Sequence, residues 1–208
     1  MTATPRELGY RMPAEFEPHA ATWLAWPHNP DDWPGKFQPI PWVYADIVKH
    51  LARVEDVHIL VNDATAEKRA RGILKRNGVS FARVHFHHWR TDRVWTRDSG
   101  PIFVLRDAET GGPDAGASPV AITNWKFNAW AKYENWHLDD QVPDHVADLL
   151  GLPQWTPTID TPSGPHRVVL EGGSIDVNGA GTLITTEECL LSEVQQRNPG
   201  VSREQIER

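Results

Sequence analysis

An α/β fold is what these 208 residues predict, and three observations carry the expectation. VHILV at 57–61 is apolar, β-branched and strand-sized, the pattern of a buried strand. NDATAEKRARGILKRNG follows at 62–78, with Ile73 and Leu74 on an otherwise charged surface and Asn77-Gly78 as a helical stop. RVVLEGGSIDVNGAGTLITT at 167–186 reads as two strands about an Asn178-Gly179 turn. Strand-sized and helix-sized pieces alternate every few tens of residues, and α/β is the simplest class for them.

In chain order, residues 13–41 are punctuated by proline and read as irregular, with one short apolar piece, ATWLAW. From Tyr44 to Val54 a helical period places Ile47, Val48 and Leu51 on one face. The strand at 57–61 comes next, then the helix within 62–78, capped by Asp63 or Thr65. VSFARVHFHHW (79–89) reads as a strand, and VWTRDSGPIFVL (94–105) as a strand interrupted by a polar turn. Residues 106–119, RDAETGGPDAGASP, form a turn-rich hairpin loop. AITNWKFNAW (121–130) is again strand-like, and His145 to Leu150 form a short helix stopped by Gly151 and Pro153. In RNPGVSREQIER, Ser202 and Gln205 are spaced as a capping box that opens a helix. Arg208 falls within that helix's first turns, which leads to the expectation of a single domain over 1–208, truncated at its C-terminal end.

Composition narrows the function classes. A net charge of -7 argues against a nucleic-acid partner and suits a small cationic ligand. One cysteine forbids an internal disulfide and fits a reducing compartment. MTATPRELGYRMPAEF lacks the apolar core of a secretory signal, and the apolar runs are too short to span a bilayer. A soluble, cytoplasmic protein with no membrane partner is expected. Ten tryptophans first of all mean packing, although indole faces also stack on flat cations such as guanidinium.

Two stretches place acids where chemistry could use them. In VWTRDSGP (94–101), Trp95, Arg97 and Asp98 stand beside a Gly-Pro turn; Asp98 either faces a cleft or caps its own turn. In LEGG (170–173), Glu171 follows an apolar run, where a carboxylate is costly unless it is paired or binds something. A salt bridge to an arginine such as Arg167 is the structural alternative. Gly172-Gly173 lets backbone approach closely. His85 and His87 share a strand face in the spacing of some metal sites, but no third ligand is recognisable. His137-Leu138-Asp139 could orient an imidazole. Neither Ser99 nor Ser174 stands in a G-x-S-x-G elbow, and neither G-x-G-x-x-G nor a P-loop is present. Cys189 follows two glutamates, which would raise rather than lower a thiol's pKa; it is expected to be a buried packing residue.

Three motifs, MPAEFEPHAATWLAWPHN (12–29), VWTRDSGPIF (94–103) and VLEGGSIDVNGAGTLITTEECLL (169–191), together resemble the agmatine deiminase / bacterial peptidylarginine deiminase family of the guanidino-modifying, or pentein, superfamily. The resemblance runs from about residue 10 to the end. It implies a pentein-type α/β propeller of ββαβ units, incomplete in this chain, and hydrolysis of a guanidinium to a ureido group with release of ammonia. A late cysteine thiolate attacks the guanidinium carbon, a His-x-Asp histidine shuttles protons, and carboxylates grip the guanidinium nitrogens. By position, Asp98 and Glu171 match the family's acidic site residues, catalytic and substrate-binding, and Trp95 would wall the pocket. The resemblance also implies a structural strand end at Cys189. No metal and no other cofactor is implied, the partner is a small cationic guanidino substrate, and homo-oligomerisation is left open.

The departures are equally specific. The family's His-x-Asp follows the TTEECLL-like segment and its nucleophile lies later still, so the 208-residue chain by itself is expected to be inactive. His137-x-Asp139 precedes Glu171, in the wrong order to substitute, and Ala131 stands where many relatives carry glycine. Peptidyl arginine is the rival substrate. A non-catalytic guanidinium binder and a metal hydrolase built on His85 and His87 are the rival classes.

Overall fold

The computed structural model describes residues 3–106, 118–161 and 164–207. The chain divides into two compact units: Pro18–Thr96 with Asn135–Asp139, and Met1–Glu17 with Arg97–Glu134 and Asp140–Arg208. The fold class is α/β in each.

The first unit is a parallel sheet in the order β1 (Ala21–Ala25), β2 (Asp56–Leu60), β3 (Val84–His87), with α1 (Ile40–Leu51) between β1 and β2 and α2 (Ala64–Arg76) between β2 and β3. ATWLAW, an apolar fragment in sequence, becomes β1 because β2 gives it a register, from Ala21 opposite Asp56 to Ala25 opposite Leu60. Strand identity of this kind depends on the neighbour more than on the residue's own preference. Helix α1 opens four residues before Tyr44, with Pro41 in its first turn, where a missing N–H breaks no intrahelical bond. Helix α2 is capped by Asp63 and not Thr65: the Asp63 carboxylate accepts from the Ala66 amide at 2.7 Å. It ends at Asn77 and Gly78, the latter at φ +75°. Before β3, residues Phe81–Arg83 take a 3-10 turn, so the strand is shorter than its apolar run.

Side-chain alternation decides the core. Val57 and Ile59 of β2 are fully buried with Val84, Ala45, Val48, Ala70 and Leu74; each large side chain so buried contributes roughly 1.5–3 kcal/mol. His58, between Val57 and Ile59, points to the opposite sheet face. There it stacks with its register neighbours Trp23 at 4.1 Å and His85 at 4.9 Å between ring centroids.

A single helical turn, α3 (Thr96–Ser99), carries the chain onward. In the second unit β4 (Ile102–Leu105) pairs antiparallel with β5 (Val120–Thr123). Helix α4 (Val142–Leu150) starts three residues earlier than expected and stops at Gly151, in the left-handed region at φ +62°. Strand β6 (Gln154–Trp155) then pairs parallel with β5. Residues 107–117 of the expected hairpin loop lie outside the described residues. Of AITNWKFNAW only 121–123 belong to a strand; Ala129, Trp130 and Ala131 all have positive φ, at 50°, 59° and 54°. A left-handed non-glycine residue costs roughly 1–2 kcal/mol, so this turn is strained, and Ala131 occupies one of its left-handed positions.

Two hairpins follow, β7 (Thr158–Thr161) with β8 (Gly164–Arg167) and β9 (Ile175–Val177) with β10 (Leu183–Thr185). The expected hairpin about Asn178-Gly179 is present, but its first strand opens only at Ile175, because Gly172–Ser174 form a 3-10 turn. The chain ends with α5 (Glu187–Leu191) and α6 (Arg203–Ile206). The capping box at α6 forms as its spacing predicts: the Ser202 hydroxyl accepts from the Gln205 amide, and the Gln205 side chain accepts from the Ser202 amide. Cys189 lies within α5 and is half-buried, neither a strand end nor a fully buried residue; its neighbour Leu190 is the one that packs inside.

Candidate active site

Asp98 sits in α3, and the turn Gly172–Ser174 is pressed against it. The Gly173 N–H donates to Asp98 Oδ1 at 3.2 Å, and among the described residues no other hydrogen bond reaches that carboxylate. Burial raises the Asp98 pKa above the ordinary range, while the Gly173 amide and the charges of Arg97 and Arg197 pull it back. The two glycines are both required, for different reasons. A Cβ at Gly172 would meet the Arg97 carbonyl oxygen at 2.5 Å, which is backbone and cannot yield. A Cβ at Gly173 would overlap Asp98 Oδ1, which can swing aside. Gly172→Ala is therefore expected to destabilise by about 1–3 kcal/mol. Gly173→Ala should melt close to the wild type while displacing the Asp98 carboxylate. Thermal melts of the two variants, with the NMR signal of the Asp98 carboxyl in each, check the contrast.

Glu171 opens that turn and is 1% exposed. Its partner is an arginine, as the structural alternative proposed, but Arg197 and not Arg167: Arg197 Nε donates to Glu171 Oε1 at 2.9 Å and Oε2 at 3.3 Å. Arg167 is engaged with Asp140 at 2.7 Å and with the Asn124 side chain at 2.5 Å. Burial pushes the Glu171 carboxyl up, Arg197 draws it down, and the nearby Asp98 charge pushes it up again. The chain thus brings two carboxylates of WTRD and EGG to one turn, with a guanidinium already on the deeper of them.

In the first unit Trp95 carries the Arg93 guanidinium over its ring, 5.0 Å from the centroid. Arg93 also pairs with Asp32 at 2.5 Å and with Asn135 at 2.8 Å. Asp139 is 1% exposed and accepts from the Asp92 and Arg93 amides at 2.8 and 3.2 Å. Burial raises its pKa to about 7, against the lowering by those amides. His137, by contrast, is exposed against Trp136, so the His-Leu-Asp triplet separates a surface imidazole from a buried acid held by backbone.

His85 and His87 do share a strand face. His87, however, is hydrogen-bonded to His58 at 2.8 Å and stacks on Trp89, while His85 lies 3.7 Å from Asp56. Desolvation lowers the His87 pKa to about 4, which keeps the imidazole neutral. Among the described residues no group of three or more His, Cys, Asp or Glu is placed to hold a metal ion, and no helix is long and apolar enough to cross a membrane. Ser99 is buried, and the Ser174 hydroxyl donates to the Glu171 carbonyl at 2.7 Å. Sequence reasoning did not find Arg197 and Asn198. The only signal was two polar residues in a turn-forming RNPG stretch, and their partners lie 26 and 29 residues away.

Against known families, residues 11–208 match the Porphyromonas-type peptidyl-arginine deiminases. The chain belongs to this family. Among relatives, an agmatine deiminase from Ectopseudomonas mendocina is 38% identical over 212 residues, covering 100% of this chain and 51% of its own length. One from Stutzerimonas stutzeri is 39% identical with the same coverage. The solved structure of the Enterococcus faecalis agmatine deiminase aligns with a TM-score of 0.79 at 30% identity, over 100% of this chain and 51% of its own. The chain spans about half the length of the curated relatives it matches.

Proposed function

We propose that these residues form the guanidinium-holding part of an agmatine deiminase-type hydrolase. The substrate is agmatine, the products N-carbamoylputrescine and ammonia, and the route leads toward putrescine. Asp98 grips the guanidinium, and Glu171 is the second acidic residue of the site. The observation that supports this most is the state of Asp98: a half-buried carboxylate with one oxygen fixed by the Gly173 amide and no other hydrogen bond among the described residues. A planar cation can bridge such a carboxylate with two parallel N–H bonds, gaining orientation and charge compensation together.

In this reading the sheets are parts of an α/β propeller of ββαβ units that residues 1–208 do not complete. The nucleophilic thiol and the His-x-Asp proton shuttle come from beyond Arg208. The thiolate adds to the guanidinium carbon, ammonia leaves with the shuttled proton, and water then cleaves the amidino–thiol bond to give the ureido product. This chemistry calls for no metal or other cofactor, and the protein works in the cytoplasm.

The test is ureido formation, with ammonia released one for one, by the purified product of the complete reading frame. Agmatine is expected to be the preferred substrate over an arginine peptide, and the 208-residue chain alone is expected to release no ammonia. Preference for the peptide would move the assignment to peptidyl arginine. Turnover by the 208-residue chain would remove the need for a later nucleophile.

A further inference from the structure

The dipeptide Asn-Gly occurs at 77–78 and again at 178–179, and the fold treats the two in opposite ways. In such a pair the glycine nitrogen can add to the asparagine side-chain carbonyl carbon, because glycine carries no side chain to block the approach. The step needs a free glycine N–H, an exit for the amide nitrogen, and stabilisation of the oxygen that takes up charge.

Asn77 meets none of these needs. The Gly78 N–H donates to the Lys75 carbonyl at 3.1 Å, in the C-terminal turn of α2. Asn77 Nδ2 is buried, and among the described residues no hydrogen bond reaches its Oδ1. Asn178 is the reverse. Its Oδ1 accepts from the Ala180 N–H at 2.8 Å and from the Thr182 N–H at 3.1 Å. Two backbone donors on one carbonyl oxygen are the arrangement that stabilises an oxyanion in acyl transfer. The Asn178 side chain is exposed, so ammonia can leave and water can enter. Among the described residues the Gly179 N–H makes no hydrogen bond.

The surrounding chain holds this arrangement in place. The Asn178 N–H donates to the Thr182 carbonyl at 3.2 Å, and the Gly179 carbonyl accepts from Arg11 Nη1 at 3.3 Å. Gly179 lies at φ +72°, and a Cβ there would meet Glu17 Oε1 at 2.4 Å and the Ala14 nitrogen at 2.9 Å. Packing against the 11–17 segment therefore demands glycine at the very position where glycine makes the bond reactive.

We propose that Asn178-Gly179 is a self-modification site, at which the protein converts its own asparagine to aspartate and isoaspartate. The Gly179 nitrogen bonds to Asn178 Cγ and gives up its proton. The Cγ–Nδ2 bond breaks, ammonia leaves with that proton, and a five-membered succinimide closes. Water then opens the ring. Opening at the side-chain carbonyl gives aspartate; opening at the main-chain carbonyl gives isoaspartate, whose backbone runs through the former side chain. Either product places a carboxylate in the β9–β10 hairpin, and isoaspartate also lengthens the hairpin's main chain by one atom.

The test compares the two dipeptides in one molecule. The product of the complete reading frame is incubated folded in neutral buffer and, in parallel, unfolded in guanidinium chloride, then digested with trypsin and read by mass spectrometry. Asn178 is the only asparagine of peptide 168–197, and Asn77 the only one of peptide 77–83. The unfolded chain sets the rate each dipeptide has without the fold. In the folded protein Asn178 is expected to react about 10-fold faster than Asn77, and faster than Asn178 itself in the unfolded chain; this is a modest share of the roughly 10²-fold that one oxyanion donor supplies in an enzyme. The products should include isoaspartate, which chromatography separates and which direct hydrolysis of the side chain does not give. Asn178→Gln keeps a side-chain amide but needs a larger ring, and should abolish the change in peptide 168–197 while leaving Asn77 as it was.

A folded-state rate at Asn178 below its unfolded rate would show that the two amides lock the side chain instead of activating it, and would overturn the proposal. Equal rates at Asn178 and Asn77 in the folded protein would overturn it too. So would aspartate without isoaspartate, or a mass gain in peptide 168–197 that survives Asn178→Gln.

Discussion

Asp98→Ala should lower kcat/KM for agmatine by about 10³-fold, the scale on which loss of one preorganised charge-matching group slows acyl-type hydrolysis. In the proposed reaction the thiolate's addition discharges the guanidinium until the leaving nitrogen is protonated, so an aimed carboxylate is needed to bind and orient the cation for attack. Asp98→Asn keeps the shape and loses the charge, and should be nearly as slow. The folding consequence has the opposite sign. Burial raises the Asp98 pKa, so the ionised carboxylate costs stability that is regained as pH falls. Asp98→Asn should therefore melt no lower than the wild type, with an advantage that grows as pH rises. A slow but stable Asn variant separates a binding role from a structural one; an active Ala variant would take Asp98 out of the site.

Stability should fall as pH rises from about 4 to 7, and Asp139 should be the main cause. Its folded pKa of about 7 stands well above an ordinary aspartate's. A group shifted in this direction contributes stability that is complete below its unfolded pKa and is lost as pH climbs through the folded one. The span amounts to roughly 4 kcal/mol at about 1.36 kcal/mol per pKa unit. The shift comes first from desolvation, then from the Asp92 and Asp32 charges, against the pull of the Arg93 and Asp92 amides. Asp139→Asn keeps an acceptor for those amides and removes the ionisation. Urea midpoints measured at about pH 5 and about pH 8, on either side of that folded pKa, should differ for the wild type and nearly coincide for Asp139→Asn. Parallel wild-type and variant profiles would place the ionisation elsewhere.

The legible parts of this fold were those decided locally. Helix α2 could be read from its apolar positions, its Asp63 cap and its Asn77-Gly78 stop, because each acts within one or two turns. Strand β2 could be read because burial between a sheet and helices demands a continuous β-branched run. Strand β1 could not, since ATWLAW is held by pairing with β2 across the whole of α1 and its flanking loops. The left-handed turn at Ala129–Ala131 was also invisible: alanine and tryptophan do not announce positive φ as glycine or asparagine would. At the site, Asp98 and Gly172-Gly173 stood out as motif residues whose chemistry is local. The reading of Glu171 stopped at a choice between a ligand and a salt bridge, because the deciding partner, Arg197, is brought to it only by the turn after α5. Cys189 shows the same limit in reverse. Its uniqueness in the sequence drew notice, while its contribution is a backbone carbonyl that seats Arg197.

The most direct test of the central claim is a crystal structure of the complete protein with agmatine bound, in a variant lacking its nucleophile. The expected result is a guanidinium nitrogen within about 3 Å of Asp98, in hydrogen-bond geometry. A guanidinium held by other groups, with Asp98 outside hydrogen-bond reach, would contradict the account.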